Sequence, residues 1–171
     1  MSLLCLILAG GDSNRMGQDK ALLYDSVNTL TRVLEKKGCR VVVACGSEER
    51  SQLFKSECWP DPPESKSLGE VLHAFLQEFT DEVQLFPCDM YELDDEAIDI
   101  ILAQSPGVPV DVEGREQFTL TRIPRDHKPS ISLSLNRLFS ELGRNEMAFL
   151  GRRLENFNFP NQTDGQNKSN Q

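Results

Sequence analysis

Residues 3–11 read LLCLILAGG, and this stretch decides the fold class. A continuous apolar run that ends in small residues is typical of a strand buried on both faces, at the centre of a parallel sheet. The run is similar to the apolar part of a signal peptide, but the first basic residue is Arg15, so no positive charge precedes it. We therefore expect a buried first strand followed by a glycine-rich loop.

Strand and helix patterns alternate along the rest of the chain. Strands are expected at 40–44, 57–59, 83–86, 108–112, 117–121 and 147–150. Helices are expected around 30–34, 48–55, 68–75 and 94–102, and within 131–142. This alternation predicts an α/β fold with a mainly parallel central sheet between two layers of helices.

The length of 171 residues corresponds to about one domain. We assign residues 1–160 to a single domain, because no repeat or internal linker interrupts them. Residues 161–171 contain no large apolar side chain and are expected to form a disordered polar tail. The first apolar run is far shorter than the ~20 residues that cross a bilayer, so we expect no membrane contact.

The negative charge of the chain is concentrated in one segment. The net charge is −9 and the isoelectric point is about 4.7. Residues 61–100 have a net charge of −11, whereas residues 1–60 and 101–171 each have +1. The phosphate backbone of DNA or RNA repels such a protein, so we expect no nucleic-acid partner. One or two of these carboxylates are candidates for binding a divalent cation, and the others are expected to form a solvated surface.

The five cysteines are scattered and form no CxxC pair, which argues against a zinc knuckle or a thioredoxin-like motif. Cys5 and Cys45 belong to apolar runs, where a thiol behaves as a small apolar side chain. We expect all five to be structural thiols in the reducing cytoplasm.

The loop after the first strand carries residues suited to binding phosphate. Its glycines fall at 10, 11 and 17, which matches neither the Rossmann fingerprint nor a Walker A loop. Gly10 and Gly11 let a ligand approach the backbone, and backbone amides in such a loop bind anions. Arg15 and Lys20 supply cations that can lie along a triphosphate. The alternative is a tight turn with two surface cations.

Residues 8–20, LAGGDSNRMGQDK, resemble the signature LAGGxSxRMGxDK of the molybdenum cofactor guanylyltransferase family, a group of nucleotidyltransferases with a Rossmann-like fold. Two further segments follow in the order of that family. FPCDM at 86–90 resembles its metal-binding segment after a central strand, and NFNFP at 156–160 resembles its closing NxNTP. The resemblance therefore extends from residue 8 to residue 160.

This resemblance implies a Mg2+-dependent transfer of GMP from GTP to the terminal phosphate of molybdopterin, with release of pyrophosphate. Other proteins of molybdenum cofactor biosynthesis, or acceptor proteins, would be the partners. Relatives that use CTP more often carry LAAG where residues 8–11 read LAGG, which favours GTP. A cytidylyltransferase for the same cofactor, or another NTP transferase of this fold, is the first alternative.

The resemblance also implies roles for individual residues. Arg15, Lys20 and Asp89 would be catalytic, and Asp89 would hold Mg2+. The nucleotide would be bound by Leu8, Ala9, Gly10, Gly11, Lys20, Asp61 and Asp89, and Asn156 and Asn158 would lie on the acceptor side. For Asp61 and Asp89 the alternative is a turn of purely structural importance.

The chain departs from the family pattern ahead of the helix expected at 68–75. The family has GPLxG there, whereas residues 66–70 read KSLGE. Because the family's glycines shape the nucleotide site, side chains at 66 and 70 would crowd it. This departure motivates a second hypothesis, in which the chain is a non-catalytic nucleotide-binding partner in cofactor delivery.

Overall fold

The computed structural model describes residues 3–10, 25–90 and 93–147. Within these ranges the strands are β1 (Leu4–Leu8), β2 (Arg40–Gly46), β3 (Glu57–Pro60), β4 (Val83–Pro87), β5 (Val108–Val110), β6 (Arg122–Ile123) and β7 (Arg144–Glu146). The α-helices are α1 (Ser26–Lys36), α2 (Leu68–Glu78), α3 (Asp95–Leu102) and α4 (Leu135–Leu138). Two short 3₁₀ helices span Glu49–Leu53 and Phe118–Leu120.

The main sheet has the strand order β3-β2-β1-β4-β6. β1 lies between β2 and β4 and is parallel to both, with Leu8 opposite Ala44 on one side and Pro87 on the other. β3 continues the parallel arrangement beyond β2, whereas β6 is antiparallel to β4. β5 and β7 form a separate parallel pair.

Apolar side chains cover both faces of the main sheet. On one face Ile7 belongs to a buried cluster with residues of α1 and α3, and on the opposite face Leu6 belongs to a cluster with residues of α2 and α4. Successive side chains of a strand point to opposite faces, so a strand covered on both sides must be apolar throughout. β1 meets this condition and is almost wholly inaccessible to solvent. The expected α/β/α layers around a mainly parallel sheet are confirmed.

Polar residues and one glycine set the ends of the helices. Asp94 accepts a hydrogen bond from the backbone N–H of Ala97 at 2.8 Å ahead of α3, and Ser67 accepts one from the N–H of Glu70 at 3.2 Å ahead of α2. Gly38 follows α1 with φ +88°, a conformation that a glycine adopts without steric cost. These ends direct the loops after β3 and β4 towards one edge of the sheet.

The strand predicted at 117–121 is wrong, because Phe118–Leu120 forms a 3₁₀ helix. The buried amide of Gln84 donates from Nε2 to the carbonyl oxygen of Leu120 at 2.8 Å, and Gln104 donates to the same oxygen at 3.1 Å. A carbonyl that is already satisfied by side chains does not need a partner strand. Residues 117–121 alone do not indicate that the side-chain amides of Gln84 and Gln104 bind this carbonyl oxygen.

Two predicted helices are shorter than expected. The helix expected at 48–55 is the 3₁₀ helix Glu49–Leu53, and α4 covers only four residues of the range 131–142. Ile131 and Leu133 precede α4, and each is 63% exposed. The first half of this segment therefore lies at the surface, whereas Leu138 and Phe139 in its second half are buried in the core.

The strand predicted at 147–150 lies largely outside the described residues, and β7 ends just before it. Asn145 of β7 donates from Nδ2 to Gln104 Oε1 at 3.0 Å, and Gln104 donates from Nε2 to Gln84 Oε1 at 2.9 Å. This series of amides connects the second sheet to β4 of the main sheet. The tail predicted at 161–171 also lies outside the described residues.

Some acidic side chains of residues 61–100 form ion pairs while staying at the surface; the Asp99 side chain is 64% exposed. Lys37 Nζ lies 2.7 Å from Asp99 Oδ1, and Arg122 Nε lies 2.6 Å from Glu82 Oε2. The first pair connects the end of α1 to α3, and the second connects β6 to the residue before β4. The acidic stretch therefore contributes to holding the helices and edge strand in place.

All five cysteines are free thiols, as expected, and Cys5 and Cys45 are buried. Across the described ranges, each helix is too short or too polar to span a bilayer.

Candidate functional site

The carboxyl ends of the four parallel strands meet at one edge of the main sheet. Gly10 follows β1, Gly46 ends β2, Asp61 follows β3 and Asp89 follows β4. The registers place Leu8 beside Ala44 and Pro87, and Gly46 beside Pro60. The described parts of the loops at 9–20, 61–67 and 87–92 therefore lie along one edge, where α/β sheets commonly bind ligands.

The backbones of Gly10 and Gly46 are in close contact. A Cβ atom built on Gly10 would lie 2.7 Å from both Cα and N of Gly46. Gly46 has φ +92°, a left-handed conformation that disfavours other residues. The Ala9 N–H donates to the carbonyl oxygen of Ala44 at 2.9 Å. This hydrogen bond holds residue 9 against β2 immediately before the contact between Gly10 and Gly46. Both positions therefore require glycine, and the start of the loop after β1 is fixed.

Arg50 connects the ends of β1 and β2, and no sequence pattern predicted this role. Its Nε donates to the carbonyl oxygen of Cys45 at 2.7 Å, and its Nη2 donates to that of Ala9 at 2.6 Å. The guanidinium carbon lies 5.9 Å from the centre of the Phe54 ring. Arg50 lies in the 3₁₀ helix after β2 and positions the backbone before Gly10. Arg50 lies among other charged residues, so its sequence context does not distinguish it from an ordinary surface arginine.

Asp61 is attached to the same edge through its backbone. Its N–H donates to the carbonyl oxygen of Gly46 at 3.0 Å. Burial raises the pKa of the Asp61 carboxyl above its ordinary value, because a charged carboxylate is poorly solvated there. In the described part of the chain, this carboxylate accepts no hydrogen bond and forms no ion pair. A half-buried carboxylate of this kind gains from binding a cation or a hydroxyl group.

Asp89 lies in the loop that leaves β4 and is only 7% exposed. The residues on both sides of it are anchored. Ser26 Oγ donates to the carbonyl oxygen of Cys88 at 3.0 Å, and Met90 is buried in the cluster beneath α1 and α3. The loop is therefore held between the start of α1 and the core, and Asp89 occupies a defined position at the edge.

The carboxylates at this edge are few. Within the described ranges, no three His, Cys, Asp or Glu side chains are grouped as a metal site. Mg2+ is commonly held by one or two carboxylates together with phosphate oxygens and water, so it does not need such a group. Asp89, after β4, fits that requirement as a single carboxylate ligand, whereas Asp61 follows β3, which is separated from β4 by β1 and β2.

The remaining predicted site residues divide into two sets. Leu8 ends β1, and Ala9 is buried directly after it, so both reach the edge through the backbone. The others lie outside the described residues, and their roles stay predictions: Gly11, Arg15, Lys20, Asn156 and Asn158.

The segment that departs from the family pattern forms the start of α2. Glu70 Oε1 accepts a hydrogen bond from the N–H of Lys66 at 2.6 Å, and Ser67 caps the helix. A Cβ on Gly69 would lie 2.3 Å from the carbonyl oxygen of Ser132, so this glycine is required by close packing. The Glu70 carboxylate is thus held in the first turn of the helix rather than free to move.

Solved structures resemble this fold. A protein from Aquifex aeolicus VF5 has 21% sequence identity and a TM-score of 0.65, over 91% of this chain and 92% of that chain. A hypothetical transferase from Thermus thermophilus has 23% identity and a TM-score of 0.48, over 65% of this chain and 51% of that chain. At this level of identity, the first likeness shows the fold alone. No curated protein matches this chain.

The family model of the MobA-like NTP transferase domain matches residues 5–148. This range includes β1, the close contact between Gly10 and Gly46, and both carboxylates at the sheet edge. Asn156 and Asn158 lie beyond it. Because the match covers most of the sequence, the chain belongs to the family of the MobA-like NTP transferase domain.

Proposed function

We propose that this nucleotidyltransferase-family protein transfers GMP from GTP to the terminal phosphate of molybdopterin and releases pyrophosphate. Membership of the domain family supports nucleotidyl transfer in general. The observation that carries the proposal is the arrangement at the sheet edge, where a glycine-only backbone contact lies beside the loops of Asp61 and Asp89. The LAGG sequence at residues 8–11 favours GTP over CTP.

The reaction requires positioning more than covalent chemistry by the protein. A terminal phosphate oxygen of the acceptor attacks the α-phosphorus of GTP in line with the leaving group. The bond from the α-phosphorus to the bridging oxygen breaks, and its electron pair leaves with pyrophosphate. Catalysis of such a transfer comes from aligning the two substrates and stabilising the charge on the phosphate oxygens.

Different residues at the carboxyl edge of the main sheet would align the substrates and stabilise the phosphate charge. The exposed backbone at Gly10 would let the nucleotide lie close to the chain, and Arg50 keeps that backbone in place. Asp89 would hold Mg2+, which would neutralise charge on the phosphate oxygens, and Asp61, which follows the outer strand β3, would contact the nucleotide. Arg15 and Lys20 would stabilise the triphosphate and the leaving pyrophosphate, and Asn156 and Asn158 would contact the acceptor.

The test is pyrophosphate release from GTP, CTP, ATP and UTP, each with Mg2+ and molybdopterin, together with binding of each nucleotide. We expect release with GTP. Release with CTP instead would identify a cytidylyltransferase for the same cofactor. Measurable GTP binding without release from any nucleotide would contradict the proposal and favour a non-catalytic binding partner.

A further inference from the structure

Four of the five cysteines form two pairs on one face of the main sheet. Cys5 of β1 and Cys45 of β2 are buried in the cluster beneath α1 and α3, and Cys39 and Cys58 pack against the same cluster. The thiols of Cys5 and Cys39 share a hydrogen bond, and so do those of Cys45 and Cys58. Two thiols in contact can form a disulfide, and the surroundings of each pair decide whether an oxidant reacts with it.

The pair of Cys5 and Cys39 joins β1 to the chain just ahead of β2. Cys5 lies opposite Val41, and Cys39 precedes Val41 by two residues, so both thiols are on the same face. The Arg40 N–H donates to the carbonyl oxygen of Leu3 at 3.0 Å, which keeps the two chain segments side by side at this point. Cys39 lies in the connection between α1 and β2, where the backbone is less constrained than inside the sheet as the two sulfurs approach bonding distance.

The two members of this pair differ in their access to solvent. Cys5 is fully buried, whereas Cys39 is partly exposed. A dissolved oxidant therefore meets the Cys39 sulfur first, and the Cys5 sulfur lies behind it in the core. Thiols that respond to oxidants commonly combine an accessible sulfur with a second, resolving cysteine beside it.

The Cys39 thiol is also the more acidic of the two. The hydrogen bond that the Cys5 thiol donates, together with the positive charges of Arg122 and Lys37, lowers the pKa of the Cys39 thiol to about 7. The same hydrogen bond raises the pKa of the Cys5 thiol, so Cys5 keeps its proton. At neutral pH a large fraction of Cys39 is therefore thiolate, which is the form that attacks oxidants.

The pair of Cys45 and Cys58 provides a comparison within the same sheet. Burial raises the pKa of both thiols, that of Cys58 to about 11. The Cys45 thiol donates to the carbonyl oxygen of Ser47 at 3.3 Å, and the Cys58 thiol donates to that of Ser56 at 3.4 Å. Both thiols therefore stay protonated at neutral pH, and a protonated thiol is a poor nucleophile.

We propose that Cys39 is a site of oxidation by hydroperoxides and that its oxidation leads to a disulfide with Cys5. The Cys39 thiolate attacks one oxygen of the hydroperoxide, the O–O bond breaks, and the leaving alkoxide takes a proton from water to become an alcohol. The Cys5 sulfur then attacks the sulfur of the Cys39 sulfenic acid, and the hydroxyl group leaves as water with the Cys5 proton. Two thiols and one hydroperoxide thus give one disulfide, one alcohol and one water.

This oxidation site is separate from the candidate nucleotide site. Cys39 directly precedes β2, whereas Gly46, at the opposite end of that strand, belongs to the carboxyl edge of the sheet. The inference therefore goes beyond the proposed function and does not depend on it, and its test needs no nucleotide. It gives a chemical role to two thiols that the sequence predicts to be structural.

The experiment treats the full chain with hydrogen peroxide at neutral pH and maps disulfides by mass spectrometry of unreduced peptides. We expect the loss of two hydrogen atoms, located at Cys5 and Cys39 and reversed by dithiothreitol, and we expect Cys39→Ser to prevent it. Cys5→Ser keeps a hydrogen-bond donor beside Cys39 but removes the resolving sulfur, so dimedone should trap a sulfenic acid on Cys39 in this variant. Cys58→Ser is the matched control, and it should form the disulfide between Cys5 and Cys39 as the wild type does.

A measurement on the wild-type chain alone keeps the inference testable if a variant fails to fold. Iodoacetamide should alkylate Cys39 at least about tenfold faster than Cys58 at neutral pH, because the thiolate fraction dominates the rate. Equal rates at these two cysteines would overturn the inference. So would a first disulfide between any other two cysteines, or a peroxide-treated chain in which Cys39 remains a free thiol.

Discussion

At the scale of the residue, Asp89 is the carboxylate with the most specific expected role. It is 7% exposed and lies between the anchored Cys88 carbonyl and the buried Met90. Asp89→Asn keeps the shape of the side chain and removes its charge. We expect pyrophosphate release to fall by at least about a hundredfold, because a neutral amide is a poor ligand for Mg2+.

The measurement is pyrophosphate release at saturating GTP and Mg2+, with the unfolding transition recorded alongside it. Asp126→Asn, at an exposed aspartate with φ +59° that asparagine also tolerates, is the matched control. Full activity of Asp89→Asn would remove this residue from the metal site.

Asp61 differs in that its effect on stability depends on pH. Burial raises the pKa of the Asp61 carboxyl, so the folded chain binds this proton more tightly than the unfolded chain does. The folded state is therefore penalised above the raised pKa, and the penalty disappears below the ordinary carboxyl pKa. We expect Asp61→Asn to increase the free energy of unfolding at pH 7, with the gain vanishing as the solution becomes acidic.

Urea unfolding of both chains between pH 3 and pH 7 checks this expectation. If Asp61→Asn were less stable than the wild type at pH 7, the carboxylate would have a stabilising partner. The variant should also bind GTP with Mg2+ more weakly, so that a gain in stability accompanies a loss of function.

At the scale of the element, the contact between the ends of β1 and β2 controls the geometry of the edge. Gly10→Ala would place a Cβ 2.7 Å from backbone atoms of Gly46, and backbone cannot move aside as a flexible side chain can. We expect the free energy of unfolding to fall by about 2 kcal/mol, as in other overpacked sites. Gly143→Ala, where a Cβ meets nothing within 4 Å, is the control.

Urea unfolding gives the stability, and GTP binding reports on the edge. A variant with wild-type stability and affinity would show that the two strand ends separate easily. In that case the glycine at position 10 would not be a structural requirement.

Arg50 holds the same two strand ends from the side. Arg50→Gln loses the charged hydrogen bonds to the carbonyl oxygens of Ala9 and Cys45. We expect a loss of about 2 kcal/mol in the free energy of unfolding, because hydrogen bonds to charged groups contribute more than neutral ones. The exposed Arg32→Gln should be close to neutral in the same urea titration. Equal stability of the two variants would mean that other contacts position the loop.

The elements that were predicted correctly are those whose residues contact the core directly. β1, β2 and β4 are mainly apolar because both faces of the sheet are covered, and that requirement is visible in the residues themselves. The turn at Phe118–Leu120 was missed because its hydrogen bonds come from Gln84 and Gln104, which are far away in sequence. Local patterns do not contain such partners.

The candidate site shows the same division. Asp61 and Asp89 were predicted from the resemblance to the family, and their positions after parallel strands explain why both lie at the carboxyl edge of the sheet. Arg50 could not be predicted, because its partners are two main-chain carbonyls whose positions depend on the folded sheet.

At the scale of the whole molecule, ligand binding should change stability. A ligand that binds only the folded chain, at a hundred times its dissociation constant, adds about 2.7 kcal/mol to the free energy of unfolding. We expect this gain from GTP with Mg2+ and a much smaller one when EDTA removes the metal, because the acidic segment 61–100 then faces the triphosphate directly. Urea unfolding under both conditions provides the measurement. An equal gain with and without Mg2+ would contradict a metal-bridged nucleotide.

The outer position of β3 has a consequence for how the protein behaves at high concentration. An exposed edge strand is a template for edge-to-edge aggregation. β3 is only four residues long, it begins at Glu57, which is paired with Arg40 at 2.9 Å, and it ends at Pro60, which has no N–H to donate. A second molecule would therefore find few unpaired donors and a charged side chain along this strand, so association through an extended sheet is disfavoured on this side.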